Sequence, residues 1–374
     1  MSAFGLSSTS LVTLAVLLVG VKSAVGQVGP LIANGFKAAN YSHPYATHIH
    51  CRHEVNGSYL RWADVNGTFV QQRDKPYYPF CGAVLISERL MVSSLWCLLG
   101  CSKTLKPAQD LVLIELEFPG SEHHHGFVVN SKDCLERKGV IPALLPFADA
   151  RSACEDDERH WSADRVLRPK LHFDEGRYVD PDYECTAIGW GASSSKIAGQ
   201  LPDQSTDLME TRPPPAHMKN TSGFGYCRGT EFDFLRQILN KTFNYRFTKD
   251  DQSRARCFTG QSAPCVGDEG NAVVCDKPEV IRAQRNSTRP WRRTLFGVTS
   301  IFVTETMAGR GTTRLSCDSG LVGMTVTSVA EAMPNLYRTL KDLDLLQDVC
   351  DTYRRCVIDA KPMPVGFHGP CGVD

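Results

Sequence analysis

Short runs of apolar and β-branched residues dominate this chain. They cover Ala83–Ser87, Met91–Ser94, Leu111–Glu117, Cys185–Trp190, Ala272–Cys275, Leu295–Val303 and Met324–Val329. Gly, Pro and polar clusters separate them. Many short strands with turn signals between them predict an all-β sandwich or barrel. Two segments carry the spacing of an amphipathic helix. One is Thr230–Asn240, with apolar positions at Phe232, Leu235, Ile238 and Leu239, and the other is Pro334–Leu346. The Arg212–Pro215 run predicts a stiff extended connection. From about Gln347 onward the pattern changes to a short tail carrying Cys350, Cys356 and Cys371. The chain has no repeat of fixed period.

The apolar run Leu11–Val21 stands close to Met1 and is followed by small residues at Ala24 and Gly26. It is short for a membrane span, and this order of features predicts a secretory signal over residues 1–26. No later stretch approaches the ~18 apolar residues that a span needs. The chain has 15 cysteines. Behind a signal they predict a disulfide framework and a secreted, extracellular protein. Zinc is the rival, but the Cys-x2-Cys pairs of zinc ribbons are absent. The odd count leaves one thiol free or bonded to another chain, so a disulfide-linked dimer stays open. Sequons at Asn40, Asn56, Asn66, Asn220, Asn240 and Asn286 are expected to carry glycans. Lys plus Arg number 41, as do Asp plus Glu, so net charge gives no pull toward nucleic acid or a membrane surface.

Four blocks are more specific. The first is Cys265-Val-Gly267-Asp268-Glu269-Gly270-Asn271-Ala272-Val-Val-Cys275. The second is Phe80-Cys81-Gly82-Ala83-Val84-Leu85-Ile86-Ser87-Glu88-Arg89, continuing into Met91-Val-Ser-Ser-Leu-Trp96-Cys97. The others are Cys185-Thr-Ala-Ile-Gly189-Trp190-Gly191 and Ile32-Ala-Asn-Gly35-Phe-Lys-Ala38 with Pro44-Tyr45 downstream. In this order they resemble the trypsin/chymotrypsin family of serine proteases: its CxGDSGGPLVC, FCGGSLISER with VLTAAHC, CxxxGWG, and IVGGxxA segments. The serine position holds Glu269, and the histidine position holds Trp96.

The resemblance implies a trypsin-like domain over residues 32–346: two six-stranded antiparallel β-barrels and a C-terminal helix. Residues 347–374 would form a Cys-containing extension. It also implies the disulfides Cys81–Cys97, Cys185–Cys275, Cys227–Cys257 and Cys265–Cys317. Cys51, Cys101, Cys134, Cys154, Cys350, Cys356 and Cys371 match none of the family's bridges, though the tail cysteines could staple the C-terminus to the first barrel.

The family reaction needs a hydroxyl nucleophile, a histidine base, an aspartate to orient it and backbone donors for the oxyanion. Glu269 has no hydroxyl, and the indole of Trp96 donates a hydrogen bond but takes no proton. Losing both members costs little more than losing one, because they act as a unit. The aspartate position is unassigned. Asp110 opens the best match to the family's DIALLxLxxP but follows Cys97 by only 13 residues, which suits an earlier strand of the first barrel. Asp149 is nearer the expected distance but lacks the apolar run. The oxyanion-hole backbone would lie at Gly267 and Glu269. The Glu269 carboxylate either accepts those N–H bonds itself or points to solvent. Ala263 replaces the acidic pocket base of a trypsin. Ile301 and Phe302 replace the tryptophan and a glycine of GIVSWG, so the specificity pocket is altered.

His123, His124 and His125 are adjacent, and on a strand they cannot all face one metal, so no metal or other cofactor is expected. Arg282, Arg285, Arg289, Arg292 and Arg293 are expected in a solvated loop, with an acidic partner or sulfated glycan as the alternative.

The expected function is a secreted, non-catalytic homologue that binds an extracellular protein, such as an active protease or its substrate, as cofactor or regulator in a proteolytic cascade. The alternatives are a hydrolase using Glu269 and a disulfide-linked structural protein. Leu31 rather than Arg or Lys precedes Ile32. The mature chain is therefore expected to start near Gln27, with Asp268 not paired by the Ile32 amine. Mass-spectrometric sequencing of the secreted protein checks this, and an Ile32 start would contradict it.

Overall fold

The computed structural model describes residues 32, 35–38, 43, 45–50, 54–55, 58–63, 69–72, 79–87, 89–95, 111–115, 127–129, 142–167, 183–191, 207–211, 223–227, 256–260, 262–265, 267–285, 293–304 and 322–354. The expected signal segment, all six sequons, His123–His125, the Thr230–Asn240 segment and residues 355–374 lie outside them.

The first half of the chain carries β1 (Phe36–Lys37), β2 (Ala46–His50), β3 (Glu54–Val55), β4 (Ser58–Ala63), β5 (Phe69–Gln72), β6 (Pro79–Leu85), β7 (Leu90–Ser94), β8 (Leu111–Glu115) and β9 (Phe127–Val129). Three short 3-10 turns lie between Ala150 and Arg165. The second half carries β10 (Glu184–Gly189), β11 (Met209–Glu210), β12 (Gly223–Tyr226), β13 (Arg256–Gly260), β14 (Ala272–Asp276), β15 (Leu295–Thr304) and β16 (Val322–Ser328). Its helices are α1 (Pro278–Arg285), α2 (Val329–Asp342) and α3 (Leu346–Tyr353).

The fold is all-β with C-terminal helices. Every ladder between these strands is antiparallel. One sheet has five strands in the order β8-β7-β6-β2-β9, and a second has eight in the order β1-β11-β10-β14-β15-β16-β13-β12. The strands β3-β4-β5 form a small third sheet. All seven apolar runs in the sequence thus become strands, but the described strands divide five, eight and three rather than six and six. β1 accounts for part of this difference. It comes first in the chain yet joins the eight-stranded sheet, where Phe36 pairs with Glu210 and Lys37 with Met209.

One large core joins both sheets to the helices. It includes Val84, Leu85, Met91 and Val92 of the five-stranded sheet and Ile188, Val274 and Val298 of the larger one. Met333, Leu336, Tyr337 and Leu340 of α2 and Val349 and Tyr353 of α3 complete it. A second core within the eight-stranded sheet holds Phe224, Phe258, Ala263, Phe296 and Met324.

The C-terminal helix differs in its bounds from the expectation. The segment read as Pro334–Leu346 begins five residues earlier, at Val329, and breaks at Asp342. Ser328 caps it, its side chain accepting the Glu331 N–H at 3.4 Å. That S-x-x-E start satisfies an otherwise orphaned donor, and the helix continues through Pro334. Residues Leu346–Tyr353 form α3, which packs into the same core. The Tyr353 hydroxyl donates to the Leu145 carbonyl at 2.6 Å, and its ring meets Phe147 edge-on at 5.4 Å. The packed body therefore runs through Tyr353.

Cys185 is bonded to Cys275 and Cys227 to Cys257, two of the bridges that the resemblance implies. Cys265 is also disulfide-bonded, while Cys97 and Cys317 lie outside the described residues. Cys350 of α3 is bonded to Cys154, at a sequence separation of 196. The tail staple therefore reaches the first 3-10 turn, in the connection between the two main sheets, rather than a strand of the first sheet. A cross-link closing so long a loop restricts the unfolded chain strongly. Replacing Cys154 and Cys350 together by serine should cost about 2–5 kcal/mol. Urea unfolding of the double variant beside wild type checks this.

Candidate functional site

The segment Cys265–Asn271 forms a tight turn ahead of β14. The Asp268 N–H donates to the Cys265 carbonyl at 2.9 Å, and the Asn271 N–H to the Asp268 carbonyl at 3.2 Å. Three other parts of the fold hold this turn. The Gly82 N–H of β6 donates to the Glu269 carbonyl at 2.7 Å. The Gly191 N–H donates to Asp268 Oδ1 at 2.7 Å. On β15, the Thr299 carbonyl accepts the Gly270 N–H at 2.7 Å, while the Thr299 N–H donates to the Asn271 carbonyl at 2.9 Å. The Thr299 hydroxyl also donates to the Asp268 carbonyl.

Two glycines permit this close docking. A Cβ on Gly82 would stand 2.0 Å from Asn271 Oδ1, and one on Gly189 would stand 1.9 Å from Asp268 Oδ1. No side chain fits at those distances. The matched motifs thus converge in space: two supply the approach, and a third supplies the turn. The remaining block contributes Ile32, which is fully buried and packs on Met209, the cross-strand partner of Gly189.

Asp268 is fully buried, and its carboxyl accepts hydrogen bonds from Cys265 N–H at 2.9 Å and from Gly191 N–H. Burial raises it to about 7, with these two donors pulling the other way. Asp268 is therefore held by backbone N–H groups.

Glu269 is also fully buried. Its Oε2 accepts the Gly267 N–H at 2.8 Å, and its own backbone N–H bonds the carboxyl as well. These are the two donors that the motif aligns with an oxyanion hole. The side chain folds back onto its own turn rather than into solvent. Burial drives this carboxyl well above the ordinary glutamate range, against the pull of both donors, and the neighbouring Asp268 adds to the rise.

Trp96 lies outside the described residues, as does Asp110, but the strands leading to them are described. β7 and β8 pair with Ser94 opposite Leu111. Ser94 precedes Trp96 by two residues, and Leu111 directly follows Asp110. The strand after Asp110 thus runs beside the strand before Trp96. Asp149 is exposed and caps the first 3-10 turn, its carboxylate accepting the Arg151 N–H at 3.0 Å. Ser94 Oγ donates to Ser300 Oγ of β15 at 3.2 Å and links the two main sheets near the site.

Ala263 is fully buried in the second core. Ile301 is buried, and its N–H donates to Thr325 Oγ1 at 2.8 Å. Phe302 pairs with Met324 after an irregularity in the β15–β16 ladder, and its side chain lies outside the described residues. Among the described residues no group of His, Cys, Asp and Glu could hold a metal ion, and no helix is long and apolar enough to cross a membrane.

Sequence reasoning missed one polar cluster. Arg293, expected in a solvated loop, is 2% exposed and paired with Asp276. Beside it, His43 bonds Glu210 at 2.7 Å and Tyr45 at 2.8 Å. An Arg directly before a strand, with an Asp at the end of the preceding strand, was the available signal for the first pair. His43 and Glu210 stand 167 residues apart and gave none.

No protein-family model matches the chain, and no curated protein matches it in sequence. Among solved structures it is similar to neuropsin, a serine protease expressed in the limbic system of mouse brain. That likeness has 14% sequence identity and a TM-score of 0.39, and covers 83% of this chain and 100% of the other.

The raised Asp268 makes a signed prediction. The unfolded carboxyl titrates at about 3.9. The folded chain therefore holds this proton between there and about pH 7. Its contribution to stability is full below about pH 3.9 and is lost as the pH rises through about 7. Asp268→Asn removes this titration. Unfolding at a series of pH values should show the variant gaining on wild type as the pH rises. A variant that loses ground over that interval would mean a carboxylate stabilised by its two donors.

Proposed function

We propose that this chain is a secreted, catalytically inactive homologue of the trypsin-like serine proteases, and that it acts by binding an extracellular protein. One observation carries the reading. The Glu269 carboxyl takes the Gly267 N–H at 2.8 Å and its own backbone N–H, the donors that would stabilise a developing oxyanion. A side chain in that place blocks the substrate carbonyl and supplies no hydroxyl to attack it. Trp96 offers no proton acceptor at the base position, so the two losses act together. Whichever residue holds the aspartate position, without a histidine it has nothing to orient.

The buried carboxyl also weighs against Glu269 as a nucleophile. Attack requires a free, ionised oxygen facing substrate, whereas burial favours the protonated acid. The disulfides and the apolar leader support an extracellular setting, where the binding partner would be an active protease or its substrate.

Hydrolysis of a peptide library by the purified protein, beside Glu269→Ala, tests the reading. Wild type should cleave no faster than the control. Cleavage that disappears on removing the carboxyl would make Glu269 a working catalytic group. Glu269→Ser should stay inactive too, because the hydroxyl it restores has no base to take its proton.

A further inference from the structure

The chain crosses from the eight-stranded to the five-stranded sheet between β1 and β2, and His43 and Tyr45 lie on that crossing. Both are fully buried. The Tyr45 carbonyl accepts the Leu85 N–H of β6 at 3.0 Å, which fixes the crossing to the five-stranded sheet. His43 reaches the other sheet, with Nε2 at 2.7 Å from Glu210 Oε2 of β11. Two more charged groups face the ring: Asp276 at the end of β14, and Arg293, which pairs with it. The return crossing rests on the same place. The Leu144 N–H donates to the Arg293 carbonyl at 3.0 Å, and the Leu144 carbonyl accepts the Leu295 N–H at 2.8 Å.

We propose that His43 is a neutral imidazole that latches the two main sheets together, and that its protonation in mildly acidic solution releases the latch. The hydrogen bonds argue for the neutral ring. With its proton on Nε2, the ring donates to Glu210 and accepts the Tyr45 hydroxyl at Nδ1, 2.8 Å away. Both ring nitrogens and the Tyr45 hydroxyl are then satisfied. An imidazolium would turn a second N–H toward the Tyr45 oxygen, and the tyrosine hydroxyl would lose its acceptor in a fully buried place. Glu210 and Asp276 favour the cation and Arg293 opposes it, while burial is the largest influence and lowers the ring below its ordinary range. The unfolded chain, with imidazole near about 6.5, takes up the proton first as the pH falls. The latch therefore weakens below about pH 6.5 and strengthens above it.

The test compares wild type with His43→Gln, whose amide donates toward Glu210 but cannot take a proton. Thermal midpoints of the full chain are followed from about pH 7.5 to about pH 5. Wild type should lose several degrees more than the variant over that interval. In 15N spectra of the wild-type imidazole, His43 should hold the Nε2–H tautomer and titrate below the ordinary imidazole range. Parallel midpoint curves, or a His43 ring titrating at or above about 6.5, would overturn the proposal. Should the variant fail to fold, the wild-type titration decides alone.

Discussion

Backbone N–H groups aimed at two adjacent buried carboxyls are the interaction on which this site depends. Asp268 draws donors from Cys265 and Gly191, and Glu269 draws them from Gly267 and itself. Burying carboxyls is costly unless hydrogen bonds or a proton compensate. Here both operate, since the donors converge and burial raises the acids. The surrounding architecture exists around that turn: glycines at 82 and 189 leave room for it, and Thr299 clamps its far side. The turn also ties the five-stranded sheet to the eight-stranded one through Gly82, so the site is part of how the two sheets meet.

On the proposed reading, the same geometry would let the fold survive without a serine at the turn. The turn needs Asp268, its close glycines and its neighbours' main chain, and none of these depends on a serine at 269. A glutamate there gains two local hydrogen bonds, from the Gly267 N–H and its own backbone N–H. What such a substitution removes is a nucleophile and an open place for a substrate oxygen. What it leaves is a disulfide-braced β scaffold whose surface can be recognised.

Much of this was legible along the chain, because strand-forming runs and close-packed turn motifs are local patterns. Each of the apolar runs became a strand, and the Cys265–Cys275 turn stood out through its resemblance to CxGDSGGPLVC. The features that escaped depend on long-range pairing. Cys154 meets Cys350 only because α3 folds back across the inter-sheet connection. His43 and Glu210 meet only after β1 has joined the second sheet. Arg293 looked like one of several loop arginines, and its burial goes with its pairing to Asp276 at the end of β14. Asp149 caps a 3-10 turn, and β8, directly after Asp110, lies against β7.

The measurement that bears most directly on the central claim is an amide-proton spectrum of Gly267 and Glu269, followed while the Glu269 side-chain carboxyl is titrated. If the carboxyl fills the oxyanion position, both amide protons are shifted downfield and exchange slowly, and Glu269 titrates well above the ordinary glutamate range. Ordinary shifts and fast exchange at both amides, with Glu269 titrating near about 4.3 as in a free peptide, would contradict the account and leave the hole open.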